Sequence, residues 1–334
     1  LHDSILAKYD PYVSTPIAHT SEDGYFAIQD TSPPVTTMSL SGVSGDNDWY
    51  TSDVEVTLSA TDDKGVRKTE YSFDNASWIT YTAPFKITNE RNTNIFYRSY
   101  DETITPEATK VKTVRIDKTL PEGVIRINND FAYAISTAVV LNVEATDAAS
   151  EVASMRFSND GVWDTESWEN PQHTRSWSLT TGDGAKTVYY QIKDNAGLTR
   201  TYSDSIILDT AQPTITITSP SAGYETKSST VVVEWAGSDE GSGISQYDIK
   251  LDGGDWTNVE KHTAHSFTGL GEGSHTLFVR ATDLAGNVNE DMVPFIVNSS
   301  PFGGPGYIDE AIISLVVITV VLAIIIYFVK LRKH

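Results

Sequence analysis

One arrangement of residues recurs three times between residues 31 and 298, at a period of about 90 residues, the size of a small β-sandwich domain. Each copy begins at a joint that contains Asp, Thr and Pro and continues into a strand in which apolar and polar residues alternate. Apolar residues two apart indicate a strand with one face in a core. The alternating runs are Val54, Val56 and Leu58, then Val139, Leu141 and Val143, then Val231, Val233 and Trp235. The sequence therefore predicts an all-β fold of three antiparallel β-sandwiches in tandem.

The joints define the predicted domain boundaries. Proline fixes φ and has no N–H donor, so a joint that contains proline is a stiff, extended crossing between domains. The joints begin at Asp30, Asp117 and Asp209. We therefore predict domains over residues 31–117, 118–209 and 210–298, and residues 1–30 form a linker or the tail of a preceding domain.

Each copy also carries a predicted hairpin with a tryptophan just past its turn. The tryptophans are Trp78, Trp163 and Trp256. Asp-Gly and Gly-Gly in the second and third turns favour hairpins because such turns need positive φ. We expect these side chains to pack in the core or across strands rather than to bind a ligand.

The residues around these hairpins resemble a known family. The run from Thr69 to Phe85 contains Tyr-Ser-x-Asp, Trp, Tyr and Pro-Phe in that order, and residues 282–287 read Thr-Asp-Leu-Ala-Gly-Asn. Both patterns are similar to the Ig-like repeats of bacterial and archaeal surface proteins, although the first copy departs from the closing turn at Glu102. The resemblance covers residues 31–297 and implies Ig-like sandwiches of the kind used in surface stalks, adhesins and add-on modules of secreted enzymes. It brings no catalytic residue with it.

The chain ends in an uncharged apolar segment without Pro or Gly, residues 311–329. Its length is close to the roughly 20 residues that a helix needs to cross a bilayer. It is flanked by Asp309 and Glu310 on one side and by Lys330, Arg332 and Lys333 on the other. Because Lys and Arg collect on cytoplasmic flanks, we predict one C-terminal transmembrane α-helix, with the preceding domains outside the cell and the tail 330–334 inside. The lipid bilayer is then a predicted partner.

Other interpretations of this end of the chain stay open. An apolar segment can also be a buried core helix, although such a helix normally keeps a polar face. Residues 299–310 are a predicted juxtamembrane linker, and Pro305-Gly306-Tyr307 resembles the Pro-Gly-Phe sorting signals of some archaea, which implies cleavage of the tail. No signal sequence follows Leu1, so an exported chain is expected to be a processed product or the C-terminal part of a longer protein.

The composition limits the kinds of partner that the chain is expected to bind and the ways in which its domains can be held together. The formal net charge is -21, from 45 acidic against 24 basic residues. This balance disfavours nucleic acid, because affinity for phosphates comes from Lys and Arg. It suits a soluble cell-surface domain, a cation-binding surface or a salty habitat, and the alternative that asks for no partner is a merely solvated acidic surface. The chain has no Cys, so each domain must be held by its own hydrophobic core rather than by disulfides.

Recurrent aspartates are the feature of the sequence that looks most like a site. They lie at the joints, at strand ends that can face the joints, and in the closing turns. Ca²⁺ takes 6–8 oxygen ligands, and carboxylates gathered at a joint would supply them while stiffening it. The alternative is that each Asp caps a turn by accepting bonds from nearby N–H groups. The candidate Ca²⁺ ligands are Asp62, Asp117, Asp147, Asp194, Asp209, Asp239 and Asp283.

No catalytic constellation is present in the sequence. His262 and His265 are three residues apart in a strand-rich copy, which points them to opposite faces and disfavours a zinc site. A Gly-x-Ser-x-Gly nucleophile motif is also absent. We therefore predict a protein that is not an enzyme. Asn75 and Asn298 begin N-glycosylation sequons, which matter only in a host with that machinery.

The expected function is that of a membrane-anchored stalk with a structural or adhesive role, whose partners are surface proteins or glycans. One alternative is the C-terminal stalk of a larger secreted or surface hydrolase whose catalytic domain lies upstream. Another is a carbohydrate-binding surface module that uses aromatic side chains such as Trp168 and Trp177.

Overall fold

The computed structural model describes residues 31–298, which divide after Thr210 into two compact units. The first unit contains two β-sandwiches and the second contains one, and each sandwich consists of two sheets. No α-helix occurs in residues 31–298. The all-β prediction is therefore confirmed for the described residues.

The first sandwich pairs a three-stranded sheet, in the order β1-β3-β6, with a five-stranded sheet, in the order β2-β8-β7-β4-β5. The alternation predicted for Val54, Val56 and Leu58 is confirmed, since all three point into the core. The strands are β1 (Val35–Ser41), β2 (Trp49–Tyr50), β3 (Val54–Thr61), β4 (Val66–Ser72), β5 (Ile79–Thr80), β6 (Phe85–Ile87), β7 (Arg91–Asp101) and β8 (Lys110–Ile116).

The second sandwich follows the same plan, with sheets in the order β13-β11-β9 and β10-β15-β14-β12. Leu141, Tyr190 and Ile192 are fully buried in its core, and Phe157 stacks on Tyr190. The strands are β9 (Glu122–Ile127), β10 (Tyr133–Ala134), β11 (Ala138–Thr146), β12 (Val152–Ser158), β13 (Thr174–Ser178), β14 (Gly184–Asp194) and β15 (Thr199–Leu208), with a 3₁₀ turn at Asn128–Asp130.

The third sandwich forms the described part of the second unit. Its sheets have the orders β16-β18-β21 and β17-β23-β22-β19-β20. Trp235 and Tyr247 lie in its core and contact each other edge to face. The strands are β16 (Thr214–Ser219), β17 (Tyr224–Thr226), β18 (Val231–Ser238), β19 (Ile244–Leu251), β20 (Thr257–Asn258), β21 (Ala264–Phe267), β22 (Gly273–Asp283) and β23 (Val288–Val297).

Three short strands depart from the antiparallel prediction. In each sandwich the second strand, β2, β10 or β17, pairs in parallel with the last strand of the same sandwich. The remaining ladders are antiparallel. Strands of two or three residues are too short to show an alternation, so the sequence carries no signal for this pairing.

The predicted hairpins occur in the first and third sandwiches, where β4 pairs with β5 and β19 with β20. In the second sandwich the chain past the turn makes only an isolated bridge, from Met155 to Glu169. The tryptophans past the turns are packed across strands and outside the cores. The guanidinium groups of Arg98 and Arg280 each lie 3.9 Å from a ring centre, over Trp78 and Trp256 respectively.

Several predictions fall on residues that the structure does not describe. Within residues 31–298, no helix is long and apolar enough to cross a membrane. The predicted transmembrane helix at 311–329, the linker 299–310 and the tail 330–334 lie outside the described residues, as does the segment 1–30. The charged flanks Asp309, Glu310, Lys330, Arg332 and Lys333 lie outside them as well.

Candidate metal centre where the first two sandwiches join

Three of the predicted aspartates converge in the first unit. Asp117 directly follows β8 of the first sandwich, Asp147 directly follows β11 of the second, and Asp194 is the last residue of β14. One carboxylate oxygen from each lies within 4.8 Å of one from each of the others. Since oxygens bound to a single Ca²⁺ are at most about 5 Å apart, the spacing suits one shared cation of that size.

Each of these side chains is held in place by a turn that uses only one of its two oxygens. Asp117 Oδ1 accepts the Thr119 N–H at 2.9 Å, and Asp194 Oδ1 accepts the Leu198 N–H at 2.9 Å. Asp147 Oδ1 accepts three backbone N–H groups, from residues 149, 150 and 151, at 2.8–3.0 Å. The aspartates therefore cap turns, as the alternative interpretation of the sequence predicts. In each carboxylate the other oxygen accepts no hydrogen bond from the turn.

The remaining oxygens are buried without a donor. Oδ2 of Asp117, Asp147 and Asp194 is shielded from solvent and accepts no hydrogen bond. Asp117 and Asp194 are almost wholly inaccessible, at 0% and 1% exposure, and Asp147 is half-buried. A buried polar atom without a partner costs free energy, so native structures normally provide one.

Other buried carboxylates in the first sandwich show what such a partner looks like. Glu107 lies 2.9 Å from the Lys110 ammonium and also accepts the Ser99 N–H. Glu70 binds Lys68 at 2.6 Å and the Arg98 guanidinium at 2.7 Å. Among the ion pairs of residues 31–298, none involves the three clustered aspartates.

The electrostatics of the cluster follow from this arrangement. Burial raises the pKa of Asp194 to about 6, and the negative charges of Asp117 and Asp147 act in the same direction. Burial likewise raises the pKa of Asp117, with the charge of Asp147 adding to it. Two like unit charges 4.8 Å apart repel by about 3.5 kcal/mol at an effective dielectric constant of about 20. A divalent cation between the carboxylates would turn this repulsion into attraction.

The cluster lies beside direct contacts between the two sandwiches. The Asp46 N–H donates to the Ala196 carbonyl at 2.8 Å, and Asn47 Nδ2 donates to the Asn195 carbonyl at 3.0 Å. Lys193, the neighbour of Asp194, has its ammonium 3.6 Å from the Asp46 carboxylate. The loop of residues 44–48 from the first sandwich is thus seated on the turn that follows Asp194.

The other predicted aspartates are held by similar local bonds. In the first unit, Asp209 is buried and its N–H donates to the Ala134 carbonyl at 2.9 Å. In the second unit, Asp239 Oδ2 accepts the N–H groups of residues 242 and 243, and Asp283 Oδ1 accepts those of residues 286 and 287. Metal binding by these three residues stays a prediction from the sequence.

In the first sandwich, the predicted Asp62 is half-buried and accepts the Lys64 N–H at 2.9 Å. Among residues 31–298 it joins no group of three potential metal ligands. Asp101, which was not among the predicted ligands, is fully buried, and its Oδ2 accepts no hydrogen bond. Asp101 ends β7 as Asp194 ends β14. This shared position is the sequence signal that could have predicted a buried aspartate at residue 101.

The aromatic side chains of the carbohydrate alternative already have partners. The Trp177 indole N–H donates to Asn159 Oδ1 at 2.9 Å, and its ring packs against the core. The Trp168 ring is covered by Arg156 at 4.4 Å and by Lys193 at 5.1 Å. Both sequon asparagines, Asn75 and Asn298, are exposed.

Comparison with known proteins finds a sequence similarity for most of the third sandwich. Residues 213–279 match the family model described as the bacterial Ig domain. No curated protein matches the chain at a significant level.

Several solved structures are similar in chain course. The fibronectin(III)-like modules of Clostridium thermocellum CbhA share 16% identity at a TM-score of 0.36, covering 55% of this chain and 100% of that one. Three N-terminal domains of the bacteriophage RB49 Hoc capsid protein share 10% identity at a TM-score of 0.37, and the alignment covers 80% of this chain and 100% of that one. A structure described as giving insight into host cell surface retention of a 1.5-MDa bacterial ice-binding adhesin shares 16% identity at a TM-score of 0.34. The alignment again covers 80% of this chain and 100% of that one.

At these identities and TM-scores, nothing about function follows from the structural likenesses. The family match is of a different kind, because it rests on the sequence of most of one predicted repeat. The resemblance to bacterial Ig-like repeats is thereby confirmed, and the sequence of residues 213–279 is similar to that of the bacterial Ig domain.

Proposed function

We propose that this chain is a non-catalytic segment of a cell-surface protein, in which Ig-like sandwiches serve a structural or adhesive role. The observation that carries the proposal is the repetition of one sandwich plan. Each of the three sandwiches has its own closed hydrophobic core and the same parallel second strand. A domain with its own core can be added in series without remodelling its neighbours, which is how a chain gains reach from a membrane. The bacterial Ig domain match in the third sandwich supports the same role.

We propose further that residues 311–329 anchor these sandwiches in the bilayer as a single transmembrane helix. The support is the uncharged apolar stretch between acidic and basic flanks. The sandwiches would then lie outside the cell, and only the basic tail inside.

Fractionation of cells that express the chain tests the anchor. The full chain would be produced behind a host signal peptide with an epitope before residue 1, beside a variant that lacks residues 311–329. A second variant, with Lys330, Arg332 and Lys333 changed to Gln, keeps the apolar segment and serves as the matched control. We expect the full chain and the control to resist carbonate extraction and the deletion variant to leave the membrane. Extraction of the full chain without detergent would refute the anchor.

The same cells test the structural or adhesive role. External protease should remove the epitope from intact cells, because the sandwiches are expected outside. Adhesion of these cells to other cells or to glycan-coated surfaces, above that of cells with the vector alone, would show the adhesive form of the role. An epitope that external protease cannot reach would refute a surface role. A catalytic domain encoded upstream of Leu1 would instead support the stalk of a larger hydrolase.

A further inference from the structure

We propose that Asp117, Asp147 and Asp194 bind one divalent cation, with Ca²⁺ preferred over Mg²⁺, and that this cation fastens the first sandwich to the second. The proposal concerns the first unit only and does not depend on surface location or anchoring. It starts from one ligand residue in the first sandwich and two in the second, with oxygens within 4.8 Å of one another.

The second observation is the state of the oxygens that the turns do not use. Asp117 and Asp194 are at least 99% buried, and Oδ2 of each accepts no hydrogen bond. Two buried carboxylates of the first sandwich, Glu70 and Glu107, each have a cationic side chain within 3 Å, whereas the buried Asp101 is in no ion pair among residues 31–298. The clustered aspartates have no ion pair with a basic side chain in the described part of the chain. A cation is the partner that this arrangement lacks.

The donor set favours Ca²⁺ among divalent cations. Carboxylate oxygens are hard ligands, which suits Ca²⁺ and Mg²⁺ and not the metals that prefer thiolate or imidazole. Each carboxylate is already fixed by its capped oxygen, so the three free oxygens have little freedom to adjust. Mg²⁺ demands near-ideal octahedral geometry at about 2.1 Å, whereas Ca²⁺ accepts 6–8 ligands at about 2.4 Å in irregular arrangements.

The position of the cluster explains why a cation would act on the joint. Asp194 precedes the turn whose Asn195 and Ala196 carbonyls accept bonds from Asn47 and Asp46. Asp117 ends the first sandwich and lies at the start of the crossing to the second. A cation that holds Asp117 to Asp194 therefore holds the turn against the loop that is seated on it.

Calorimetric titration of the purified full chain with CaCl₂, after removal of metal by chelator, tests the binding. We expect Asp194→Asn to lower the number of Ca²⁺ ions bound per chain by one and to leave any others in place. Asp147→Asn should do the same, which keeps the test valid should one variant fold poorly. The matched control is Asp160→Asn, since Asp160 caps a turn of the second sandwich through Ser158 and Val162 and belongs to no cluster of three.

Affinity for the wild-type site should fall in the range of extracellular modules, about 10⁻⁴–10⁻³ M, and MgCl₂ should bind at least about tenfold more weakly. Equal stoichiometry in the wild type and in both cluster variants would overturn the site. Equal affinity for the two cations would overturn the preference.

Hydrogen exchange of the full chain tests the coupling to the joint. We expect saturating Ca²⁺ to slow exchange of the Asp46 amide about tenfold or more in the wild type and in Asp160→Asn. No slowing is expected in Asp194→Asn. Calcium bound with the expected stoichiometry but without an effect on this amide would overturn the fastening of the joint.

Discussion

The substitution Gly45→Ala is expected to weaken the contact between the first two sandwiches without lowering the stability of either sandwich. A Cβ at residue 45 would overlap the carbonyl oxygen of Ala196 and lie 3.0 Å from Thr51 Cγ2. The overlapped atom belongs to the backbone, so no rotation of a side chain relieves the clash. The loop of residues 44–48 must therefore move off the turn of the second sandwich.

The size of the effect follows from the contacts that this movement breaks. The bonds from the Asp46 N–H to Ala196 and from Asn47 Nδ2 to Asn195 each contribute about 1 kcal/mol net. The Lys193–Asp46 pair is partly exposed and 3.6 Å long, so it adds little. Loss of about 2 kcal/mol raises the population of the open joint roughly 30-fold. The added Cβ does not press on the apolar clusters of the two sandwiches, because the atoms nearest to it belong to Ala196 and Thr51, which are not members of either cluster.

Native-state hydrogen exchange on the full chain measures this directly. We expect the Asp46 amide to exchange roughly 30-fold faster in Gly45→Ala, while amides of β11 and β14 keep their wild-type rates. Gly253→Ala is the matched control, because a Cβ there meets no atom within 4 Å and the residue has no positive φ. An unchanged rate at Asp46, or equal acceleration in the core strands, would show that the loop contacts do not hold the joint.

Two further predictions concern stability. Leu141→Ala should lower the free energy of unfolding of the second sandwich by about 2–5 kcal/mol, measured by denaturant unfolding, because Leu141 is fully buried; the exposed neighbour substitution Val140→Ala should change it by less than about 0.5 kcal/mol. The Gly271 carbonyl and the Asp252 carboxylate raise the pKa of His275 above 6.5, so the bonds of His275 stabilise the third sandwich at low pH, and this contribution is lost as pH rises through the folded-state pKa. His275→Gln should therefore lower the thermal midpoint more at about pH 5 than at about pH 9, by calorimetry, and equal shifts at both would contradict the assignment.

Much of the fold could be predicted from the sequence because each sandwich buries one face of each long strand. Val54 and Val56 alternate with polar residues, Val139 and Leu141 are separated by the exposed Val140, and all four are buried as their spacing of two indicates. The signal fails where the packing is not against the core. The sequence predicts Trp78 and its counterparts either in the core or packed across strands, and the structure shows the second, with an arginine over each ring. Periodicity does not distinguish a core from such a pair.

The candidate site shows a different limit. Taken singly, Asp147 and Asp160 look alike, since each follows or precedes a turn and accepts backbone N–H groups of that turn. What separates them is the second carboxylate oxygen, which is buried without a donor in Asp147. The carboxylates that lie close to that of Asp147 belong to Asp117 and Asp194. In the sequence these residues lie 30 residues before and 47 residues after Asp147, so a local pattern does not show the cluster.

Turn capping requires no fixed distance between one Asp and the next, because each cap is satisfied within four residues. Convergence of carboxylates from three strand ends does require it, since strand length and loop length set where each strand stops. Asp147 follows Asp117 by 30 residues, and Asp239 follows Asp209 by 30 as well. The capping explanation accounts for each aspartate but not for the recurrence of this interval. Because the sandwiches share one plan, repetition of the fold reproduces this interval, and the argument for a shared ligand in the first unit rests on the Oδ2 atoms of Asp117, Asp147 and Asp194, which are buried without a hydrogen bond.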